Sequence, residues 1–259
     1  MPRIFADVAD TFVPHRNRRH GLLPSMMVLM TVVTGLVDAF SYLVLGHVFV
    51  ANMTGNIVFL GFALAGAPGF SISASLAALG AFVVGAAIGG RLFVYRSTHR
   101  GSLLVTAASI QSVFLAIAFI LATQTANPST GGYRFALIGM MGIAMGLQNA
   151  TARKLAIPDL TTTVLTLTIT GMVADLGHVK QLSITNVRRA VSILGMFIGG
   201  LAGAILVLHA QIYWPLLLAV VGILAVVVFT SRASRTSGMW TWADLAPRAR
   251  STSCRVLAR

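Results

Sequence analysis

The sequence predicts an all-α integral membrane protein, and two observations support that class. Of its 259 residues, 56% are hydrophobic and only 10% are charged, with a mean hydropathy of +0.85. Soluble domains carry about 25% charged residues. Apolar runs near the roughly 20 residues needed to cross a bilayer recur at 24–46, 48–66, 73–94, 102–123, 134–152, 160–176, 190–209 and 212–230.

The basic residues predict six crossing helices and two re-entrant or broken segments. Apart from Arg134 at the start of the fifth run, they occur in the N-terminal tail and after the third, fifth, sixth and eighth runs, whereas 67–71, 124–133 and 210–213 hold none. Lys and Arg concentrate in cytoplasmic loops. Eight full crossings, the alternative, would violate this bias twice. If the second and sixth runs enter the membrane and return to the same side, every basic cluster is cytoplasmic.

This topology divides the chain into a membrane domain and two tails. We expect a basic cytoplasmic N-terminal tail at 1–23, a membrane domain at 24–230 with halves 24–123 and 134–230, and a basic cytoplasmic C-terminal tail at 231–259. The net charge of +13 lies in tails and connections, not on one folded basic face. That distribution predicts contact with anionic lipid head groups and argues against nucleic-acid binding. It makes no prediction about oligomeric state.

The two halves resemble each other as an internal repeat. GLVDA at 35–39 aligns with GLQNA at 146–150, Thr54 with Thr166, and two glycines of the third run with two of the seventh. With three crossings each, the halves would run in opposite directions, as in many secondary transporters. Small residues in membrane helices favour close packing, and this role is predicted for Gly35, Gly55, Gly85, Gly89, Gly142, Gly146, Gly199 and Gly203.

The two irregular segments are the unusual feature of this apolar chain. ANMTGNIVFLG at 51–61 places Asn52, Thr54 and Asn56 around Gly55, and the sixth run holds six threonines between 161 and 170. Irregular polar backbone at membrane depth requires surrounding protein or a water-filled cavity. In the alternative, the threonines bond to carbonyls of their own helix and the run is an ordinary helix.

Asp38 is the one acidic residue deep within a predicted crossing helix, on a polar stripe with Thr31, Thr34, Ser41 and Tyr42. An intramembrane carboxylate is by default a functional-site hypothesis. We therefore predict a proton or cation site at Asp38, close to the polar side chains of the first irregular segment. The full predicted substrate- or ion-binding set is Asp38, Asn52, Thr54, Asn56, Gln148, Asn149 and Thr166. The alternative is a structural aspartate bonded to neighbouring helices.

Enzymatic chemistry is not indicated by the sequence. HExxH, GxSxG and P-loop motifs are absent, and these motifs carry metal, nucleophile or phosphate chemistry. The single cysteine, Cys254, lies in the C-terminal tail. We expect no catalytic residues, no metal and no cofactor.

GLVDAFSYLVLG, VFVANMTGNIVFLG, MGLQNATARKL and DLTTTVLTLTITG together resemble the YoaK-type family of uncharacterised bacterial membrane proteins. The resemblance covers approximately Pro24 to Thr230 and implies a compact multi-pass protein of the bacterial inner membrane, without an established substrate. The threonine-rich run departs from the motif because it lacks a second TGN triplet. The motif positions here are Gly35, Asp38, Asn52, Thr54, Gly55, Asn56, Gly146, Gln148 and Asn149.

Two functions remain open from the sequence. The first is a secondary transporter or permease for a small polar solute, with proton coupling through Asp38. The second is a non-transporting membrane scaffold or regulatory protein whose basic 231–259 tail binds lipid or protein.

Overall fold

The computed structural model describes residues 23–95, 99–125, 128, 130–155, 169–170, 173 and 184–236. Seven helices are formed within these residues. They are α1 (Leu23–Val44), α2 (Met53–Leu64), α3 (Ile72–Tyr95), α4 (Arg100–Thr123), α5 (Gly131–Leu155), α6 (Ile184–His209) and α7 (Trp214–Thr236).

Six of these helices, all except α2, are long and apolar enough to cross a membrane. The α2 helix has 12 residues, which at about 1.5 Å per residue gives roughly 18 Å, well short of a hydrocarbon core of about 30 Å. The all-α multi-pass class is therefore confirmed, and the second apolar run forms no crossing helix. Most of the sixth run, including Thr166, lies outside the described residues, so its re-entrant form stays a prediction.

The ends of α1 and α2 explain why the second run does not form a long helix. Gly46 has φ +82° and Gly66 has φ +83°, a region that costs glycine little because it has no Cβ. After Gly46 the His47 N–H bonds to the Tyr42 carbonyl at 3.0 Å, and after Gly66 the Ala67 N–H bonds to the Phe62 carbonyl at 3.0 Å. Each is the six-to-one bond that closes a helix at glycine.

The long helices pack across the two halves of the chain, not mainly within them. In the first half are α1, α3 and α4, and in the second are α5, α6 and α7. The most extensive contacts join α3 to α5 and α1 to α6, followed by α4 to α7, α4 to α5 and α1 to α7. Each half therefore depends on the other for its partners.

Equivalent residues of the two halves make equivalent contacts. A Cβ on Gly85 of α3 would overlap the carbonyl oxygen of Ile143 on α5, and a Cβ on Gly199 of α6 would overlap that of Val32 on α1. The glycines are 114 positions apart and their partners 111, the separations found in the sequence repeat. Two further pairs of contacts are related in the same way. Gly89 lies against Ala150 as Gly203 lies against Ala39, and Gly146 lies against Phe82 as Gly35 lies against Met196.

The first helices of the two halves, α1 and α5, are antiparallel. Arg134 near the start of α5 bonds to Leu45 just past the end of α1, whereas Gln148 near the end of α5 bonds to Met30 in the first half of α1. The repeat is therefore inverted. These are also the most buried long helices, with 67% and 61% of their most apolar stretches buried against 44% or less in the others.

Candidate functional site

The polar stripe of α1 faces the protein interior. Thr31, Thr34, Asp38 and Ser41 are all buried. The hydroxyls of Thr31 and Thr34 donate to the carbonyls of Met27 and Met30, each at 2.9 Å, and Ser41 donates to the carbonyl of Asp38 at 3.2 Å. Because bonds within the same helix satisfy the three hydroxyls as donors, Asp38 is the stripe residue whose polar atoms depend most on other segments.

The carboxylate of Asp38 is bonded on one side only. Its Oδ1 accepts the backbone N–H groups of Val50 and Ala51 at 3.1 and 2.9 Å. These groups immediately precede α2, where backbone donors have no partner within a helix. Asp38 is 4% exposed, and its Oδ2 has no hydrogen-bond partner among the described residues. One oxygen thus holds the segment that precedes α2, and the other has no hydrogen-bond partner among the described residues.

Asn56, in the centre of the polar cluster, is bonded to backbone. Its Oδ1 accepts the Phe49 N–H at 2.9 Å, and its Nδ2 donates to the Phe49 carbonyl at 2.5 Å. Gly55 lies beside it, where a Cβ would come 2.8 Å from the Phe49 ring. Asn56 therefore binds the 45–52 linker to the first turn of α2. The missing side chain of Gly55 leaves room for the Phe49 ring.

The other two polar side chains of this segment are arranged differently. Asn52 is half-buried at the N-cap position of α2, without a side-chain capping bond, and Thr54 is exposed. No hydrogen bond joins the carboxylate of Asp38 to the side chains of Asn52, Thr54 or Asn56 in the described part of the chain. Asp38 was predicted to lie close to these side chains, and its carboxylate instead accepts the backbone N–H groups of Val50 and Ala51 from the same segment.

An aromatic cluster holds α2 beside the end of α1. Its rings belong to Tyr42, His47, Phe49, Phe59, Phe62 and Phe70. Tyr42 and Phe49 stack with centroids 5.0 Å apart, and Phe59 and Phe70 are 5.2 Å apart. Aromatic pairs at such distances add about 0.5–1.5 kcal/mol each beyond area burial. The cluster therefore fixes the segment that supplies the N–H groups to Asp38.

A chain of buried amides joins three helices beside this site. Gln148 on α5 donates from Nε2 to Thr34 Oγ1 at 2.8 Å and to the Met30 carbonyl at 3.3 Å. Its Oε1 accepts from Nε2 of Gln111 on α4 at 2.5 Å. The side chains of Gln111 and Gln148 are 1% and 0% exposed. This contact network links α1, α4 and α5 in the centre of the protein.

The direction of the amide chain follows from its first acceptor. A backbone carbonyl only accepts hydrogen bonds, so Gln148 must present Nε2 to Met30 and Oε1 to Gln111. Gln111 must then present Nε2 to Gln148, which leaves its Oε1 buried and without a partner among the described residues. The sequence prediction missed Gln111, although a glutamine in the middle of the apolar run 102–123 was a visible signal.

Asn149 occupies the position equivalent to Asp38 at the repeat separation of 111. It is half-buried, and its Nδ2 donates to the Met145 carbonyl of its own helix at 2.9 Å. The two halves thus differ chemically at this position, with a carboxylate in one and an amide in the other. Thr166, the remaining predicted site residue, lies outside the described residues.

Two arginines cap the helices that bear the site. Arg134 Nε donates to the Leu45 carbonyl past the end of α1 at 2.8 Å, and Arg100 Nη2 donates to the Leu155 carbonyl that ends α5 at 2.7 Å. A cation at a helix C-terminus satisfies free carbonyls and complements the helix dipole. Arg100 is 2% exposed, so it has this internal role in addition to the cytoplasmic charge that the sequence predicted.

Titratable metal ligands do not cluster in the described part of the chain. No group of three or more His, Cys, Asp or Glu side chains comes together there. The site is built from one carboxylate, amides and backbone groups on α1, α4 and α5 and the start of α2.

Comparison with known proteins identifies the family of this chain. The model of the family described as "Protein of unknown function (DUF1275)" matches residues 26–229. The chain belongs to this family. The match includes every described residue of the site, from Met30 to Asn149, and confirms the resemblance found in the sequence motifs.

A relative from Bacillus subtilis (strain 168), the UPF0700 transmembrane protein YoaK, is 35% identical over 158 residues. The alignment covers 59% of this chain and 66% of the relative, slightly less than two thirds of its length. No solved structure matches the chain.

Proposed function

We propose that this member of the DUF1275 family is a secondary transporter or permease for a small polar solute, with proton coupling through Asp38. The observation that carries the proposal is the buried carboxylate whose Oδ2 has no partner among the described residues, next to the break between α1 and α2. Intramembrane carboxylates are costly and are found where ions, protons or substrates pass.

The inverted repeat supports the same function. Transporters built this way place their site at the interface of the repeats, near a discontinuous segment. Here α1 and α5 are central and antiparallel, and the Gln111–Gln148–Thr34 contacts lie between the halves. Rocking of one half against the other would move the two sides of this interface apart.

Each residue of the site has a part in the proposed mechanism. Asp38 holds the proton or cation, while Gln148 and Asn149 contact the solute or orient it. Asn52 and Thr54 line the approach at the start of α2, and Thr166, which lies outside the described residues, stays a predicted member of the site. Asn56 acts indirectly, by holding the linker that presents the N–H groups to Asp38.

The protein would act without catalytic residues or a cofactor in the bacterial inner membrane, with both termini cytoplasmic. Its basic loops and tails would contact anionic lipid head groups.

Reconstitution into proteoliposomes tests the proposal. A panel of radiolabelled small polar solutes is offered with and without an imposed pH gradient, and uptake by the wild type is compared with uptake by Asp38→Asn. The asparagine keeps an Oδ1 acceptor for Val50 and Ala51, so the variant is expected to fold and to lose uptake driven by the pH gradient.

Two results would count against the proposal. Normal pH-driven uptake by Asp38→Asn would remove Asp38 from the mechanism. Absence of wild-type flux for every solute class would favour the scaffold or regulatory function, with lipid or protein bound by the 231–259 tail.

A further inference from the structure

We propose that residues 47–69, which contain α2, form a hinged flap over Asp38 and that the Asp38 carboxylate fastens this flap. The inference rests on the proposed function, because the flap is the part that controls access to the Asp38 site. It also assigns a role to His47, as a hinge residue.

The two ends of the flap meet at one point. The ring of His47 contacts the backbone of Gly69, with Nδ1 3.1 Å from the carbonyl oxygen. A carbonyl only accepts hydrogen bonds, so Nδ1 carries the proton of this bond. The chain thus leaves and returns to the same place over 22 positions. Because its ends coincide, the segment between them can turn about a single axis.

The backbone at both ends has the conformation of a hinge. Gly46 and His47 have φ +82° and +55° at the start, and Gly66 and Gly69 have φ +83° and +86° at the end. Hinges are a few loop or element-terminal residues that absorb large φ/ψ changes. In the described chain, His47 is the one residue other than glycine with a positive φ. Such a conformation persists only where surrounding contacts hold it, and it is concentrated at functional and switch regions.

The base of the hinge is anchored to the second half of the chain. Arg134 of α5 donates from Nε to the Leu45 carbonyl at 2.8 Å and from Nη2 to the Gly46 carbonyl at 3.4 Å. These bonds hold the residues that immediately precede the flap.

Contacts within the flap join its linker to α2. Phe49 exchanges two hydrogen bonds with Asn56, and its ring stacks on Phe59 with centroids 5.5 Å apart. All three residues belong to the flap, so these contacts are kept when it turns. The linker and α2 therefore move as one body about the anchored base.

The rest of the protein holds α2 only weakly. Asn56 is the one buried residue of this helix, and the contacts of α2 with α3 are far fewer than those between α3 and α5. Its exposed large apolar side chains are Ile57, Val58, Phe62 and Leu64. Segments with few buried contacts open at a lower free-energy cost than the core. Opening of α2 therefore breaks little packing.

Asp38 supplies the charged attachment between the flap and α1. Its Oδ1 accepts the N–H groups of Val50 and Ala51 at 3.1 and 2.9 Å. Hydrogen bonds to an ionised acceptor are roughly twice as strong as those to a neutral one. Loss of the carboxylate charge therefore weakens both bonds at once, which couples the charge of Asp38 to the opening of the flap that covers it.

Other ionisable side chains lie at this end of the described helices, where α1 and α6 end and α5 and α7 begin. They are Tyr42, His47, Tyr133, Arg134, His209 and Tyr213. Among the described residues, the hydrogen bonds of the Asp38 carboxylate go to backbone N–H groups and to none of these side chains. The charge that fastens the flap is therefore that of Asp38 itself.

Amide hydrogen exchange, measured by mass spectrometry on the full-length protein in detergent, tests the inference. Exchange reports the slow opening of backbone hydrogen bonds. In the wild type, the amides of 47–64 should be less protected than those at the centre of α5, and their protection factors should be similar because the flap opens as one body. This comparison does not depend on the folding of any variant.

Asp38→Asn tests the fastening. The asparagine keeps an acceptor for the flap but loses the charge, so the flap amides should exchange about tenfold faster, with no change at the centre of α5. Ser41→Ala is the matched control, because the Ser41 hydroxyl donates within α1 to the carbonyl of Asp38. Its flap should exchange at the wild-type rate.

His47→Asn tests the hinge. Asparagine is tolerated at positive φ, but the variant lacks the ring that bonds to Gly69. The amides within 65–70 should exchange about fivefold faster, as expected for the loss of one hydrogen bond. Those of Val50 and Ala51 should stay protected by Asp38.

Four results would overturn the inference. They are flap amides as protected as the centre of α5, equal exchange in Asp38→Asn and Ser41→Ala, a rise in Asp38→Asn that is the same in α5 as in the flap, and no change at 65–70 in His47→Asn. Flap opening without any flux in proteoliposomes would contradict the transport function and leave the hinge intact. Solute flux with a flap as protected as α5 would do the reverse.

Discussion

The carboxylate of Asp38 accepts a hydrogen bond from the backbone N–H of Ala51 at 2.9 Å, 13 positions further along the chain. This bond joins α1, the most buried of the described long helices, to the start of the short helix α2. Asp38 therefore has a structural role through Oδ1, which accepts backbone N–H groups. That role can be separated from any role of Oδ2, which has no partner among the described residues.

Substitutions of Asp38 should separate the structural role of Oδ1 from any role of Oδ2. Asp38→Ala leaves the N–H groups of Val50 and Ala51 without an acceptor, at a cost of about 1–3 kcal/mol for each buried donor. Asp38→Asn retains an acceptor and should lose much less. The free energy of unfolding in mixed micelles, measured by denaturant titration, checks the order. Equal losses for alanine and asparagine would show that the Val50 and Ala51 bonds do not stabilise the fold.

The glycine crossings should be sensitive to a single methyl group. Gly85→Ala and Gly199→Ala each place a Cβ against the carbonyl of a neighbouring helix, and overpacking of this kind costs about 1–3 kcal/mol. The two losses should be similar because the contacts are equivalent in the repeat. Unfolding midpoints in detergent provide the measurement.

Gly90→Ala and Gly200→Ala are matched controls for the crossings. Each of these glycines lies in the same helix as a crossing glycine, with nothing within 4 Å of its Cβ position. Alanine is about 1 kcal/mol better than glycine in a helix interior, so both controls should equal or exceed the wild type. A loss at Gly200 as large as that at Gly199 would contradict the packing explanation.

The amide chain should show thermodynamic coupling between its glutamines. Gln111→Met and Gln148→Met each break the bond of 2.5 Å between them, and the double variant breaks it only once. A double-mutant cycle on the free energy of unfolding should therefore give a coupling of about 1 kcal/mol. The pair Ser112→Ala with Gln148→Met should be additive, and a zero coupling for the glutamine pair would refute the contact.

Cysteine labelling should place the two ends of α3 on opposite sides of the membrane. In a Cys254→Ser background, Pro68→Cys precedes α3 and His99→Cys follows it, and both positions are exposed. A membrane-impermeant maleimide should label position 68 in intact cells and position 99 only after permeabilisation, because basic clusters stay cytoplasmic. Labelling of position 68 only after permeabilisation would exclude a non-crossing second run.

Several features of the site were predictable from the sequence because they depend on composition and periodicity. The spacing of Thr31, Thr34, Asp38 and Ser41 predicted a buried polar face, and the structure buries all four. The repeat separations predicted which glycines would correspond, and their contacts correspond in space. Asp38 stood out because it is the one acid within its apolar run.

Other features depend on which groups the fold brings next to each polar side chain, and the composition of the sequence does not specify those contacts. Asn56 resembled a ligand-binding amide, yet the linker turn at Gly46 brings the Phe49 backbone to both ends of it. Gln111 drew no prediction, since its importance comes from the contact with Gln148 on another helix. Arg100 and Arg134 cap helices that are distant in sequence.

The all-α multi-pass class and the inverted repeat were predictable, because apolar length, basic loops and repeat separation can be read along the linear chain. The sharing of hydrogen bonds among the polar groups depends on how the helices pack. Asp38 uses one oxygen for the start of α2 and leaves the other without a partner among the described residues, while Gln148 is bonded and Gln111 retains a buried acceptor. Each buried polar group needs a partner at about 3 Å, and packing between helices selects that partner.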